Sequence, residues 1–149
     1  MKELRGAASV VVAAPLTQCL ALVEAVDQYP EWYPEVVRAV EVVTRDADGV
    51  PSRAQTSLHI SVGPVTKDFD LLMDVTVEPP STVKLTKVGG DAKFDVIWHL
   101  HDADSTRIEL VLDAALEVPR FLPLGDVGNS VARGFVTAAA SELERRGAG

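Results

Sequence analysis

With 149 residues, of which 47% are hydrophobic, the chain has room for one domain around one core; a domain of this length buries about 70% of the surface its unfolded chain exposes. Acidic residues number 22 against 14 basic ones, a net charge of −8, and no basic run exists outside Arg145-Arg146, which sets nucleic acid aside as a partner. A single cysteine, Cys19, excludes an intramolecular disulfide and a cysteine-based zinc site.

The amino terminus, Lys2 to Arg5 followed by the apolar Gly6 to Ala14, has the outline of a secretory signal, but Gln18 is too large to precede a lipidated cysteine and no cleavage-type break follows. A cytoplasmic protein without a membrane span is expected, with Ala7 to Ala13 as the first strand. Pro15 suits the first turn of a helix, along which Leu16, Cys19 or Leu20, Val23 and Val26 recur as one apolar stripe. Cys19 then reads as a small buried hydrophobe.

The next ten residues, Asp27-Gln28-Tyr29-Pro30-Glu31-Trp32-Tyr33-Pro34-Glu35-Val36, hold three aromatics and two prolines in a chain that is only 5% aromatic. Proline limits the segment to one or two helical turns, which Asp27 is placed to cap. Val36 to Arg45 predicts a strand, and Asp46-Ala47-Asp48-Gly49 supplies the turn into the next.

From there apolar and polar residues alternate, so the two faces of each strand can be read directly. Ala54, Thr56, Leu58, Ile60 and Val62 oppose Arg53, Gln55, Ser57, His59 and Ser61; Phe69, Leu71, Met73, Val75 and Val77 oppose Asp68, Asp70 and Asp74, with Leu72 the exception. After Pro79-Pro80 comes a shorter strand, Val83 to Val88, closed by Gly89-Gly90-Asp91. Phe94, Val96, Trp98 and Leu100 then oppose Lys93, Asp95, His99 and His101, with Ile97 the exception, and Ile108, Leu110, Leu112, Ala114, Leu116 and Val118 oppose Arg107, Glu109, Asp113 and Glu117. Such alternation predicts an antiparallel sheet covered on one side.

The cover is a helix from Asp126 to Arg146, where Val127, Val131, Phe135, Ala139 and Leu143 recur at helical spacing. Gly128 and Gly134 inside it cost about 1 kcal/mol each relative to alanine, so they serve either close packing or space for a ligand. The connection before the helix, Pro119-Arg120-Phe121-Leu122-Pro123-Leu124-Gly125, is unusually apolar for a loop. Phe121 and Leu122 are expected to form a lid facing the Trp32-Tyr33 turn.

A catalytic centre needs ionisable groups that converge in a cleft, and the inward face offers none; no catalytic residue is nominated. Phosphate loops and zinc-protease motifs are missing. His99 and His101 lie two apart on one strand face, but two imidazoles without a third ligand make a weak metal site. No metal or cofactor is expected, and Asp68, Asp70 and Asp74 read as a solvated face that Lys84 offsets. The residues favour binding of a hydrophobic small molecule. Its candidate lining comprises Trp32 and Tyr33 at the mouth, then Thr56, Leu58, Phe69, Leu71 and Met73. Phe94, Val96, Trp98, Leu110 and Leu112 continue it on the later strands, with Phe121 and Leu122 in the loop and Val131 and Phe135 on the helix.

The order of elements and the D-x-Y-P-x-W-x-P-x-V pattern at Asp27 to Val36 resemble the START-like (SRPBCC) superfamily, in its bacterial polyketide cyclase/dehydrase and coenzyme Q-binding branches. The resemblance implies an α+β helix-grip fold in a single domain, 1–149, with its core at about 7–146: a curved seven-stranded antiparallel sheet around a long carboxy-terminal helix, with two short helices after the first strand. It also implies a guest such as a lipid, isoprenoid quinone or polyketide between sheet and helix, with transient membrane contact compatible and stable insertion not. Aromatase/cyclase members place arginine and other polar groups inside; here Phe69, Leu71, Met73 and Val75 point inward instead. Cyclisation of a poly-β-ketone, with Tyr33, Thr56 and Trp98 as polar handles, stands as the alternative, and a protein-interaction module as a second. Ribosome association, described for some relatives, sits poorly with the acidic charge. The resemblance leaves the oligomeric state open.

Overall fold

The computed structural model describes the chain except residues 1, 63, 119–120, 122–123 and 149 and the side chains of 62 and 148. Seven strands form one antiparallel sheet: β1 (Lys2–Val12), β2 (Val37–Arg45), β3 (Pro51–Val62), β4 (Val65–Glu78), β5 (Thr82–Lys87), β6 (Lys93–Asp102) and β7 (Thr106–Leu116). Their order is β1-β7-β6-β5-β4-β3-β2, so every pair except β1 with β7 is a sequential hairpin. Helix α1 (Leu16–Glu24), a 3-10 turn (Val26–Gln28) and the short helix α2 (Tyr29–Trp32) fill the crossover from β1 to β2, and α3 (Val127–Ala148) follows β7. Among the described residues no helix is long and apolar enough to cross a membrane.

The alternation dictates which face is dry. Along β6 and β7 the residues Phe94, Val96, Trp98, Leu100, Ile108, Leu110, Leu112 and Ala114 are buried. Leu72 and Ile97, which break the pattern, are half-buried on the other face. From α3 the residues Val131, Ala132, Phe135, Val136, Ala139 and Leu143 complete the core.

Most boundaries shift from the sequence expectation by only one or two residues, and the start of β1 moves furthest. β1 begins at Lys2, not Ala7, because Lys2 pairs with Leu116 and the register runs unbroken to Val12 opposite Thr106. Leu4 points inward while Arg5 bonds Asp113 outside, so Glu3 and Arg5 belong to the wet face of a strand. β7 in turn stops at Leu116, short of the expected Val118.

Helix α3 crosses β1 at a contact that only glycine permits. A Cβ on Gly128 would stand 2.1 Å from the Arg5 carbonyl oxygen, and one on Gly6 would stand 2.2 Å from the Gly128 carbonyl. The amide of Ala7 donates to Asn129 Oδ1 at 3.1 Å and fixes the crossing. At the other end of α3, Glu142 is only 9% exposed and accepts from Arg145 and Arg146. Arg146 reaches on to Gln28 at 3.2 Å, which ties the helix end to the aromatic segment.

Candidate functional site

The aromatic segment folds as its prolines require. Pro30 sits in the first turn of α2, the Tyr33 amide donates to the Tyr29 carbonyl at 2.8 Å, and Pro34 ends the helix. Asp27 does not cap it. Asp27 lies inside the preceding 3-10 turn, no side-chain cap forms, and its carboxylate pairs with Arg45 at 3.4 Å.

Five rings from this segment, the sheet and α3 form one cluster. Tyr29 and Trp32 lie 4.9 Å apart between centroids, Trp32 and Trp98 6.4 Å, and Trp98 meets Phe135 edge-on at 5.8 Å. Tyr33 packs on Phe135 at 4.5 Å. Such ring contacts contribute about 0.5–1.5 kcal/mol each beyond area burial. The Tyr29 hydroxyl donates to the Val23 carbonyl, and burial raises its pKa, slightly offset by Trp98. Burial, reinforced by Glu35, pushes Tyr33 up to about 12. The indole Nε1 atoms of Trp32 and Trp98 are buried without a hydrogen-bond partner. An unpaired buried donor costs about 1–3 kcal/mol.

Two spaces flank the cluster. The inner one, between sheet and α3, is a cavity of about 30 Å³ bounded by Tyr29, Val37, Val40, Leu58, Met73 and Phe135 among others. Its polar atoms are committed: the Thr56 hydroxyl donates to the Leu71 carbonyl at 2.9 Å, and Tyr29 is bonded as above. The outer one is a cleft of about 470 Å³ between the α2–β2 turn, the free end of β3 and the start of α3. It brings Tyr33, Glu35, His59, Ser61, Asp126 and Ser130 together over Val36, Val127 and Val131. His59 is oriented there by Asp68, its Nδ1 2.6 Å from Oδ1. Ligand sites usually occupy about 300–1,000 Å³, so the outer cleft has room for a guest and the inner cavity has room for little more than a water.

Tyr33 and Phe135 form the partition, since Tyr33 lines the outer cleft, Phe135 lines the inner cavity and their rings touch. The Tyr33 hydroxyl donates to the Val131 carbonyl at 3.3 Å. Gly128 and Gly134 therefore both serve packing: Gly128 admits β1, and Gly134 admits the Tyr33 phenol. A third recess, about 550 Å³, lies between Val11 to Pro15 and the end of α3, and no aromatic residue lines it.

Of the candidate residues, Thr56, Leu58, Met73, Phe94, Val96 and Phe135 border the inner cavity, and Tyr33 and Val131 border the cleft. Leu71, Trp98, Leu110 and Leu112 are buried in the core without bordering either, and Phe69 is half-buried. Trp32, expected at the mouth, is instead buried inside the ring cluster. Phe121 is 80% exposed, and Leu122 lies outside the described residues. Tyr29, Val26, Val37, Val40 and Leu85 also border the cavity, beyond the lining that the sequence predicts. The signal for Tyr29 is present in the aromatic motif; Val37 and Leu85 continue the inward faces of β2 and β5.

Other chemistry is sparse. The Cys19 thiol is buried, which raises its pKa. His101 Nε2 lies 3.9 Å from Glu109, and among the described residues no three potential metal ligands gather.

Solved structures share this architecture. A START superfamily protein from Mycobacterium smegmatis superposes with a TM-score of 0.78 at 19% identity, covering 95% of this chain and 98% of that one. The Zhui aromatase/cyclase from Streptomyces sp. R1128 gives 0.66 at 18%, covering 97% and 96%. A conserved protein from Geobacillus kaustophilus gives 0.68 at 15%, covering 95% and 96%. At these identities the likeness carries the fold alone. No curated protein sequence matches the chain. Residues 12–143, which span strands β2 to β7, the aromatic segment and most of α3, match the family described as polyketide cyclase / dehydrase and lipid transport, and the chain belongs to that START-like family.

Proposed function

We propose that the protein binds an uncharged hydrophobic small molecule between the sheet and α3, admitted through the outer cleft. The observation that carries this reading is the inner lining: it is aliphatic and aromatic, with no carboxylate, amine or guanidinium, and its two hydroxyls are spent on backbone carbonyls. A charged guest would be desolvated there without a partner, at a cost of several kcal/mol.

Binding requires the cavity to grow about tenfold, and the Tyr33–Phe135 partition is where it opens. Breaking one ring contact and one buried hydrogen bond costs on the order of 2 kcal/mol, which leaves the open form at a few per cent of the population. A guest that binds only the open form then stabilises it by mass action. Native mass spectrometry of gently purified protein, with extraction and identification of any co-purified molecule, tests the reading. A protein that carries no guest and takes up neither quinones nor neutral lipids has a packed core and a different function.

A second reading, conversion of a poly-β-ketone chain by an aromatase/cyclase, is favoured by the outer cleft. His59, held through Nδ1 by Asp68, lines the same opening as Tyr33 and is the residue there suited to move a proton. Regiospecific cyclisation above the spontaneous background, lost in His59→Gln and in Tyr33→Phe, would promote this reading above simple carriage.

A further inference from the structure

The chain has two tryptophans, and both bury their indole nitrogen in the core without closing a hydrogen bond. Trp98 is fully buried and Trp32 is 7% exposed. Tyr29 stands beside both, at 4.9 Å from Trp32 and 6.4 Å from Trp98 between centroids; its hydroxyl proton goes to Val23, burial raises its pKa, and the Trp98 indole lies near enough to the phenol oxygen to lower it slightly without closing a hydrogen bond of good geometry. Indole N–H is a donor only, so no rotation of the group converts it into something the surrounding carbon accepts. A phenylalanine at either position would supply ring contacts without stranding a donor.

The two indole rings are also close to one another and to a ring that walls the cavity. The two indoles are 6.4 Å apart between centroids, and both rings touch Phe135, which walls the inner cavity. When Phe135 and Tyr33 part to enlarge that cavity, the rings directly behind them are Trp32 and Trp98.

Resting on the reading of an interior guest, we propose that Trp32 and Trp98 are its specificity donors, and that the guest is a neutral, ring-bearing apolar molecule carrying a carbonyl or hydroxyl oxygen on its buried part. Plain hydrocarbons and acyl chains give the indoles nothing. A carboxylate is disfavoured twice, by the uncharged lining and by Glu35 and Asp126 at the cleft it must pass. One carbonyl oxygen has two lone pairs and can accept from both indoles at once. A site built around a hydrogen bond discriminates strongly against the analogue that lacks the partner, because its own donors are then left unpaired.

Fluorenone and fluorene make a matched pair of probes, one rigid tricyclic frame with and without a carbonyl. In amide and indole nitrogen–proton spectra of the intact protein the two indole resonances are resolved from the backbone, so each donor can be watched separately. Fluorenone should bind about tenfold more tightly than fluorene and move one or both indole resonances downfield, as formation of a hydrogen bond does. Trp98→Phe and Trp32→Phe should reduce that preference while leaving fluorene affinity within about twofold. The wild-type indole shifts decide the matter even if a variant fails to fold. Equal affinity for the two probes with unmoved indole resonances overturns the assignment of the donors while leaving interior binding intact. Saturable binding of neither probe overturns the interior reading, and the assignment with it.

Discussion

The phenolic oxygen of Tyr33 fills the space that a side chain on Gly134 would need, for a Cβ there would lie 2.1 Å from Oη. The missing side chain on α3 is what lets the aromatic turn close against the helix. Gly134→Ala should therefore expel the phenol, break its bond to Val131 and cost about 1–3 kcal/mol, measured by denaturant unfolding. Combining it with Tyr33→Ala should be less costly than the sum of the two single variants, since the obstacle has gone.

Gly128→Ala should be the more damaging change. Its obstacle is the Arg5 backbone, which cannot swing aside as a phenol can. Loss of cooperative unfolding, or a drop clearly larger than that of Gly134→Ala, is the expected result, and equal tolerance of the two would place α3 incorrectly on β1.

The only two tyrosines, Tyr29 and Tyr33, both have raised pKa values, chiefly through burial. For a group whose folded pKa exceeds its unfolded value, the stabilisation is full below the unfolded value and fades as pH rises toward the folded one. Phenolate absorbance in the native protein should therefore stay flat through the ordinary value of 10.0 and rise only toward about 12, as Tyr33 ionises or the fold gives way. In denaturant both should titrate normally.

Acid should act through Glu142, whose pKa falls from 4.5 to about 2, mainly through Arg145 and then, against the opposing burial, through Arg146. Here the sign reverses: the stabilisation is present above pH 4.5 and is lost as pH falls through about 2. Glu142→Gln should lower stability at neutral pH and flatten its decline over that acid range, a difference that thermal melts in parallel buffers will show.

The sheet is legible in the sequence because strand alternation is a local property: the inward sets from Ala54 to Leu116 follow from the order of the residues alone. β1 is only partly legible, since Lys2, Glu3 and Arg5 look like a flexible charged start until Leu4 is seen to face the core opposite Ala114. The glycines pose a question that sequence does not answer. Whether Gly134 leaves a void or admits a phenol depends on where a residue about a hundred positions away comes to rest. Cavity volume is likewise a difference between large packed volumes, and the exchange of one ring position decides it. Trp32 shows the same limit: its motif announces an aromatic turn, and only tertiary packing turns it inward.

The sequence predicts a lid from Phe121 and Leu122, and Phe121 stands 80% exposed. With little burial to lose, Phe121→Ser should leave the melting temperature nearly unchanged, within about 0.5 kcal/mol. If the residue folds over a bound guest, the variant should also release a fluorescent neutral lipid analogue faster than wild type. Marked destabilisation would show that the loop belongs to the core.

The central claim, that a guest passes Tyr33 into the space between sheet and α3, is tested most directly by rapid-mixing kinetics of a neutral fluorescent lipid analogue with wild type and Tyr33→Ala. Saturable uptake of one analogue per chain, with association and dissociation both faster in the variant, is the predicted result. No saturable uptake, or uptake whose rates ignore Tyr33, would contradict it.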